Sequence, residues 1–134
     1  SADEQFANNW QFKSEYAADY RALIAAFREV NPAAKIYACL PPPAFSRRWG
    51  IDGGTIRDEV IPLIREVAAQ VNATIIDFNT PLLDQAEFFP DTVHPNEKGA
   101  QVIAETVYRA LIGEEPPTVV NPLVNLFTNR RVLW

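Results

Sequence analysis

The sequence predicts an α/β fold with a parallel sheet. Two observations carry this expectation: segments of helical periodicity alternate with short apolar runs, and those runs are continuously apolar, as strands covered on both faces of a parallel sheet are. A chain of 134 residues with 48% hydrophobic content is also long enough to bury one core without disulfides or metal.

In KSEYAADYRALIAAFREVN, residues Tyr16, Tyr20, Leu23, Ile24, Phe27 and Val30 recur at helical spacing and form one apolar stripe, ending near Asn31 and Pro32. KIYACL, residues 35–40, reads as a strand stopped by Pro41, Pro42 and Pro43. After the loop AFSRRWGIDGG, Thr55 is placed to cap a second helix with Asp58 as its capping-box partner. Val60, Ile61, Ile64, Val67, Ala68 and Val71 line its inner face. ATIIDF, residues 73–78, is a second buried strand. Pro95 suits the first turn of a third helix that runs through Val102, Ile103, Val107 and Leu111 to Gly113.

Parallel strands with right-handed crossover helices gather functional groups beyond the carboxyl ends of the strands, where loops 41–53 and 79–94 emerge. Two strands make a poor sheet on their own, so part of the domain is expected to lie outside these residues, with another segment or chain completing the sheet. A net charge of -5 argues against nucleic acid and anionic membrane surfaces as partners. No apolar segment has the roughly 20 residues of a membrane span. The single cysteine, Cys39, rules out an internal disulfide and reads as a buried, inert thiol in its apolar run. Nothing fixes the compartment, although the absence of methionine fits a processed chain, and a secreted or periplasmic location is compatible with it.

The only histidine, His94, stands in FFPDTVHPNEKGA three residues after Asp91. An imidazole with an ordinary pKa near 6.5 is a natural general base, and a carboxylate on its Nδ1–H fixes the tautomer and steadies the imidazolium. Three residues around a turn can bring the two together. The plainer alternative is that Asp91 caps the turn and His94 is a surface residue. Position after a buried strand, the uniqueness of the histidine and the shielding that Phe88, Phe89 and Pro90 offer bring the working pair level with that alternative.

FPDTVHPNEKGAQVIAETVYRAL resembles the last conserved block of the SGNH, or GDSL-like, hydrolases. NPAAKIYACLPPPAF and ATIIDFNTPL are similar to the strands and loops before it in members acting on acetylated carbohydrates. The similarity runs over roughly residues 8–112 and is sharpest at Asp91, His94, Pro95, Asn96 and Gly99. The resemblance implies a flavodoxin-like three-layer sandwich with about five parallel strands, of which residues 1–113 are the C-terminal portion. It further implies that Asp91 orients His94, and that His94 takes the proton of a serine hydroxyl and returns it to the leaving sugar alcohol. No cofactor is implied. The substrate class is an acylated carbohydrate or another small ester.

The departure from that pattern is large. The family's Gly-Asp-Ser nucleophile and the glycine and asparagine of its oxyanion hole have no counterpart here, and SADEQFANNW resembles the stretch just after the family's Gly-x-Asn-Asp block. The nucleophile and oxyanion groups are therefore expected outside this polypeptide, which alone would be inactive or nearly so. Of Ser1, Ser14 and Ser46, only Ser46 falls on the same side as His94, and it lacks the strand-to-helix elbow that activates a nucleophile. One histidine and one cysteine do not make a zinc ligand set, and Asp77 or Asp84 paired with Asp91 as a glycosidase has no positive support.

Trp10, Phe12 and Trp49 fall in loops that would border the pocket, with Trp10 and Trp49 as sugar-stacking candidates. Packing against neighbouring helices is the plainer reading of each. Arg47 and Arg48 are of a type to hold a substrate carboxylate, against the plainer role of solvated loop charges. Asn96 reads as a donor-satisfying residue in the first turn of the last helix. Residues 114–134 form an apolar tail without period, containing Val119, Val120, Leu123, Val124, Leu126, Phe127, Val132, Leu133 and Trp134. Two functions fit: the acid–base part of a serine esterase for carbohydrate acyl esters, or a non-catalytic module that joins partners, including further copies of itself, through its open sheet and tail.

Overall fold

The computed structural model describes residues 9–115, and its element order is that expected: helix, strand, helix, strand, helix. Helix α1 is Lys13–Val30, preceded by a 3-10 turn over Asn9–Phe12, and strand β1 is Tyr37–Leu40. The second helical segment opens as a short turn, α2 (Gly53–Thr55), passes through a π-helical turn over Ile56–Val60, and continues as α3 (Ile61–Gln70). Strand β2 (Thr74–Asp77), 3-10 turns at Thr80–Leu82 and Ala86–Phe88, and helix α4 (Glu97–Ile112) complete it. The predicted apolar tail lies outside the described residues from 116 onward.

β1 and β2 pair in parallel, with Tyr37 opposite Thr74 and Leu40 opposite Asp77. Alternation along β1 turns Ala38 and Leu40 to one face, where they join Ile64 and Ala68 of α3 in a core cluster against which Tyr16, Tyr20 and Ile75 pack. α1 and α3 therefore share that face of the sheet, while α4 contacts β2 and the two turns that follow it. Leu40, Leu82 and Val67 are fully buried, each contributing about 1.5–3 kcal/mol by removal from water.

The described sheet has only these two strands, so the far edge of β1 is unpaired among the described residues. The predicted stripe on α1 is only partly used for the same reason. Ile24 is buried, but Leu23, Phe27 and Val30 are 55%, 61% and 88% exposed, since no further strand lies against them among the described residues. Cys39 is a correction of the same kind. It is exposed rather than buried, because it points to the face of β1 opposite Ala38 and Leu40, although partial desolvation still pushes its thiol pKa up.

Both predicted helix starts shift by a residue or more. The second helical segment is capped by Asp52, not Thr55: the Asp52 side chain accepts from the Thr55 backbone N–H at 2.7 Å, and Asp58 pairs with Arg57 instead. The earlier start needs Gly53, since a Cβ there would lie 2.1 Å from the Ala44 carbonyl oxygen. Pro95 precedes the cap of α4, which is Asn96, and the Asn96 side chain accepts from Gly99 N–H at 3.1 Å. A Cβ on Gly99 would come within 2.7 Å of Pro95 Cβ and 3.4 Å of Phe88 Cβ. Gly99→Ala is therefore expected to destabilise the fold by about 1–3 kcal/mol through forced repacking, and Asn96→Ala by about 1 kcal/mol through loss of the cap. Urea denaturation midpoints check both, and an unchanged midpoint for Gly99→Ala would contradict the close packing of α4 on Phe88.

Candidate active site

Because β1 and β2 are parallel, loop 41–52 and loop 78–96 leave the sheet at the same end, as expected. Asp77, the last residue of β2, anchors the second loop. Its Oδ1 accepts from Asn79 N–H and Thr80 N–H at 2.8 and 3.0 Å, and its Oδ2 accepts from the Thr80 hydroxyl at 2.8 Å. Burial alone would raise its pKa, but these bonds outweigh it and hold the carboxyl below the usual range. Asn79, 7% exposed, donates to the Pro41 carbonyl at 3.1 Å and ties the two loops together at their base.

Further out the loops are joined residue by residue. Phe45 N–H donates to Thr92 O at 2.8 Å, and the Phe45 and Phe89 rings pack with centroids 5.1 Å apart. The hydroxyls of Ser46 and Thr92 are hydrogen bonded, and Arg48 donates to the Asp91 carbonyl oxygen at 3.1 Å.

Asp91 makes both of the contacts that were opposed on sequence grounds, the turn cap and the approach to the imidazole. Its Oδ1 accepts from Val93 N–H and His94 N–H at 2.9 and 2.7 Å, forming an Asx-type turn, while its Oδ2 lies 2.7 Å from His94 Nδ1. The His94 backbone N–H, then the Val93 N–H and the His94 ring, hold this carboxyl far below the usual carboxylate range. A carboxylate in that place favours a proton on Nδ1 and leaves Nε2 as the acceptor. The turn costs something: Thr92 has φ of +72°, a left-handed conformation that is a true outlier for a β-branched residue and costs about 1–2 kcal/mol. Its carbonyl and hydroxyl are both held by loop 41–52, which keeps it there.

His94 itself is 67% exposed at its side chain. The shielding expected from Phe88, Phe89 and Pro90 is not found. Phe89 is 2% exposed and packs inward on Phe45, Phe88 lies against Gly99, and Pro90 is exposed, because the Asx turn reverses the chain and leaves the imidazole outside. The neighbour of the ring is Trp49, with centroids 5.5 Å apart and planes inclined by 44°. Trp49 and Gly50, at φ of +53° and +76°, form a two-residue turn closed by Arg48 N–H to Ile51 O and Ile51 N–H to Arg48 O, both 2.9 Å.

Arg47 lines a cavity of about 320 Å³ beside this site, together with Ser46, Asp52, Arg57, Asn79 and Leu83. Trp10 does not line that cavity. It packs edge-on against Tyr16, and its indole N–H donates to Glu59 at 2.9 Å, fixing the start of α1 to the π-helical turn. Phe12 is 55% exposed. Of the predicted site residues, the structure thus brings Asp91, His94 and Trp49 together, puts Arg47 in the adjoining cavity, and leaves Trp10 with the helices. Thr92 and Asn79, which hold the loops, escaped the sequence reading. Nothing in a bare Thr signals a left-handed backbone.

A parallel α/β pair of strands thus carries, beyond its carboxyl ends, an imidazole bound to a carboxylate. The chain belongs to the GDSL-like lipase/acylhydrolase family, whose sequence model matches residues 2–102. It is similar to an acetylxylan esterase of Xylanibacter ruminicola, 36% identical over 121 residues that cover 77% of this chain and 25% of that protein. The chain thus spans about a quarter of the length of that relative. In fold it resembles the esterase domain of the ZfL2-1 ORF1 protein from a zebrafish retrotransposon, with a TM-score of 0.58 at 19% identity, covering 76% of this chain and 60% of that one.

Proposed function

We propose that this chain carries the acid–base part of a serine esterase that removes acetyl or other short acyl groups from carbohydrate, with its nucleophile and oxyanion donors supplied from outside the chain. The observation that carries this is the 2.7 Å contact between Asp91 Oδ2 and His94 Nδ1 at the carboxyl end of a parallel sheet. The similarity to an acetylxylan esterase supports the carbohydrate ester as substrate.

In this reading Nε2 of His94 takes the proton of a serine hydroxyl as its oxygen attacks the acyl carbonyl. The tetrahedral intermediate collapses as the imidazolium returns that proton to the departing sugar oxygen. Water then repeats the sequence on the acyl-enzyme. Asp91 keeps Nδ1 protonated and offsets the charge on the ring through both half-reactions. Ser46 does not suit the nucleophile's role, since its hydroxyl is bound to Thr92 rather than presented on an elbow.

The test is turnover of acetylated xylo-oligosaccharide by the 134-residue chain with and without a serine-bearing family segment joined to its N-terminus. Activated phenyl esters are unsuitable, because a solvent-exposed imidazole attacks them unaided. The chain alone is expected to give no steady turnover, and the joined protein to give turnover that depends on His94. Steady turnover by the chain alone, lost in His94→Ala, would overturn the assignment of the nucleophile to another segment. A joined, folded protein without activity would favour the second reading, a non-catalytic binding module, for which the exposed Leu23, Phe27 and Val30 beside the start of β1, whose far edge is unpaired among the described residues, are the supporting observation.

A further inference from the structure

We infer that the turn bearing Arg48 and Trp49 is a positioning device for the acid–base pair, a role that rests on the proposed function of His94. Four contacts close a ring. Arg48 donates to Asp91 O at 3.1 Å, its guanidinium carbon lies 4.3 Å from the centroid of the Trp49 ring, Trp49 meets the His94 ring at 5.5 Å, and His94 Nδ1 returns to Asp91 Oδ2 at 2.7 Å. Each member therefore fixes the next. The carboxylate sets which nitrogen of the imidazole carries the proton, but a single bond at Nδ1 leaves an exposed ring free to swing about it. The indole limits that swing, and Arg48 holds both the indole and the backbone of the residue that supplies the carboxylate.

The turn itself points the same way. In a two-residue turn with both central residues at positive φ, glycine and asparagine are the favoured occupants, and a tryptophan there is under backbone strain. The occupant of that strained position is the residue whose ring lies against His94. Strained backbone of this kind concentrates at working sites. A turn needed only for chain reversal would be better served by asparagine.

Two measurements test this. The first needs no catalysis: the full chain has one histidine, so its ¹⁵N-labelled imidazole gives a single set of ring signals. In the unaltered chain and in Trp49→Phe the Nδ1–H signal is expected to be sharp and protected. In Trp49→Ala and in Arg48→Ala it is expected to broaden or exchange with solvent, while the backbone spectrum away from loops 41–52 and 78–96 stays in place. The second uses the protein joined to its serine-bearing segment. Trp49→Ala and Arg48→Ala are expected to lower kcat by roughly 10- to 100-fold with KM within about twofold, and Trp49→Phe to restore most of it. Retention of a sharp Nδ1–H in both alanine variants would overturn the inference. So would a raised KM at unchanged kcat, which would make Trp49 a substrate contact. Failure of the underlying reading shows differently, as full turnover in His94→Ala whatever Trp49 does.

Discussion

His94→Ala, made in the esterase completed by its serine-bearing segment, is expected to lower kcat by roughly 10⁴-fold or more, with KM for acetylated xylo-oligosaccharide changed little. The size reflects the part that the proposed function gives the ring at two points of each half-reaction, the removal of a proton from the attacking oxygen and its delivery to the leaving one. No second histidine exists in the chain to stand in. The ring is largely exposed, and its contacts among the described residues are with Asp91 and Trp49, so the substitution should leave the unfolding midpoint near that of the parent. This combination, lost chemistry with retained stability, separates a proton carrier from a packing residue. Single-turnover acylation by stopped flow, together with a urea titration, checks it, and a variant that acylates at the parental rate would remove His94 from the reaction.

Asp91→Asn is expected to cost kcat about as much, roughly 10³- to 10⁴-fold, by a different route. The amide oxygen can still accept from Val93 and His94 N–H, so the turn survives. A neutral amide no longer favours the proton on Nδ1 or offsets the charge on the ring. The substitution also has a signature in stability. The folded-state pKa of Asp91 lies below its unfolded value of about 3.9, so the carboxylate stabilises the fold above that value, and the contribution is lost as pH falls through it toward the folded-state value. Asp52 and Asp77, also depressed, add acid sensitivity of their own. The informative quantity is therefore the difference between parent and variant. It should shrink as pH falls below about 4. A difference that stayed constant down to about pH 2 would mean that the carboxylate is not held by these bonds.

The fold was legible wherever one physical requirement dominated a segment. The continuous apolar runs at 35–40 and 73–78 became β1 and β2, and the helical stripe beginning at Tyr16 became α1. Boundaries were less legible, because a cap depends on three-dimensional approach: Asp52 outcompetes Thr55 only because Gly53 lets the helix start against the Ala44 carbonyl. The exposure of Cys39 and of Leu23, Phe27 and Val30 was hidden for another reason. Apolar character shows that a surface is suited to burial, while the neighbour that would bury it need not lie among the residues described. At the site, the pairing of Asp91 with His94 could be read from spacing, since three residues around an Asx turn leave few other arrangements. The hold of loop 41–52 on that turn could not. It is made by a backbone N–H at Phe45, a hydroxyl at Ser46 and a left-handed Thr92, none of which differs in the sequence from ordinary loop chemistry.

Among the described residues, the bonds that set the geometry of Asp91 and His94 are made within residues 41–96, between two loops that β1 and β2 hold side by side. On the proposed function, the segment that brings the hydroxyl would meet an acid–base pair that is ready-made rather than one it must induce. In that reading docking need not build the pair, whose shape is set by the loops that carry it.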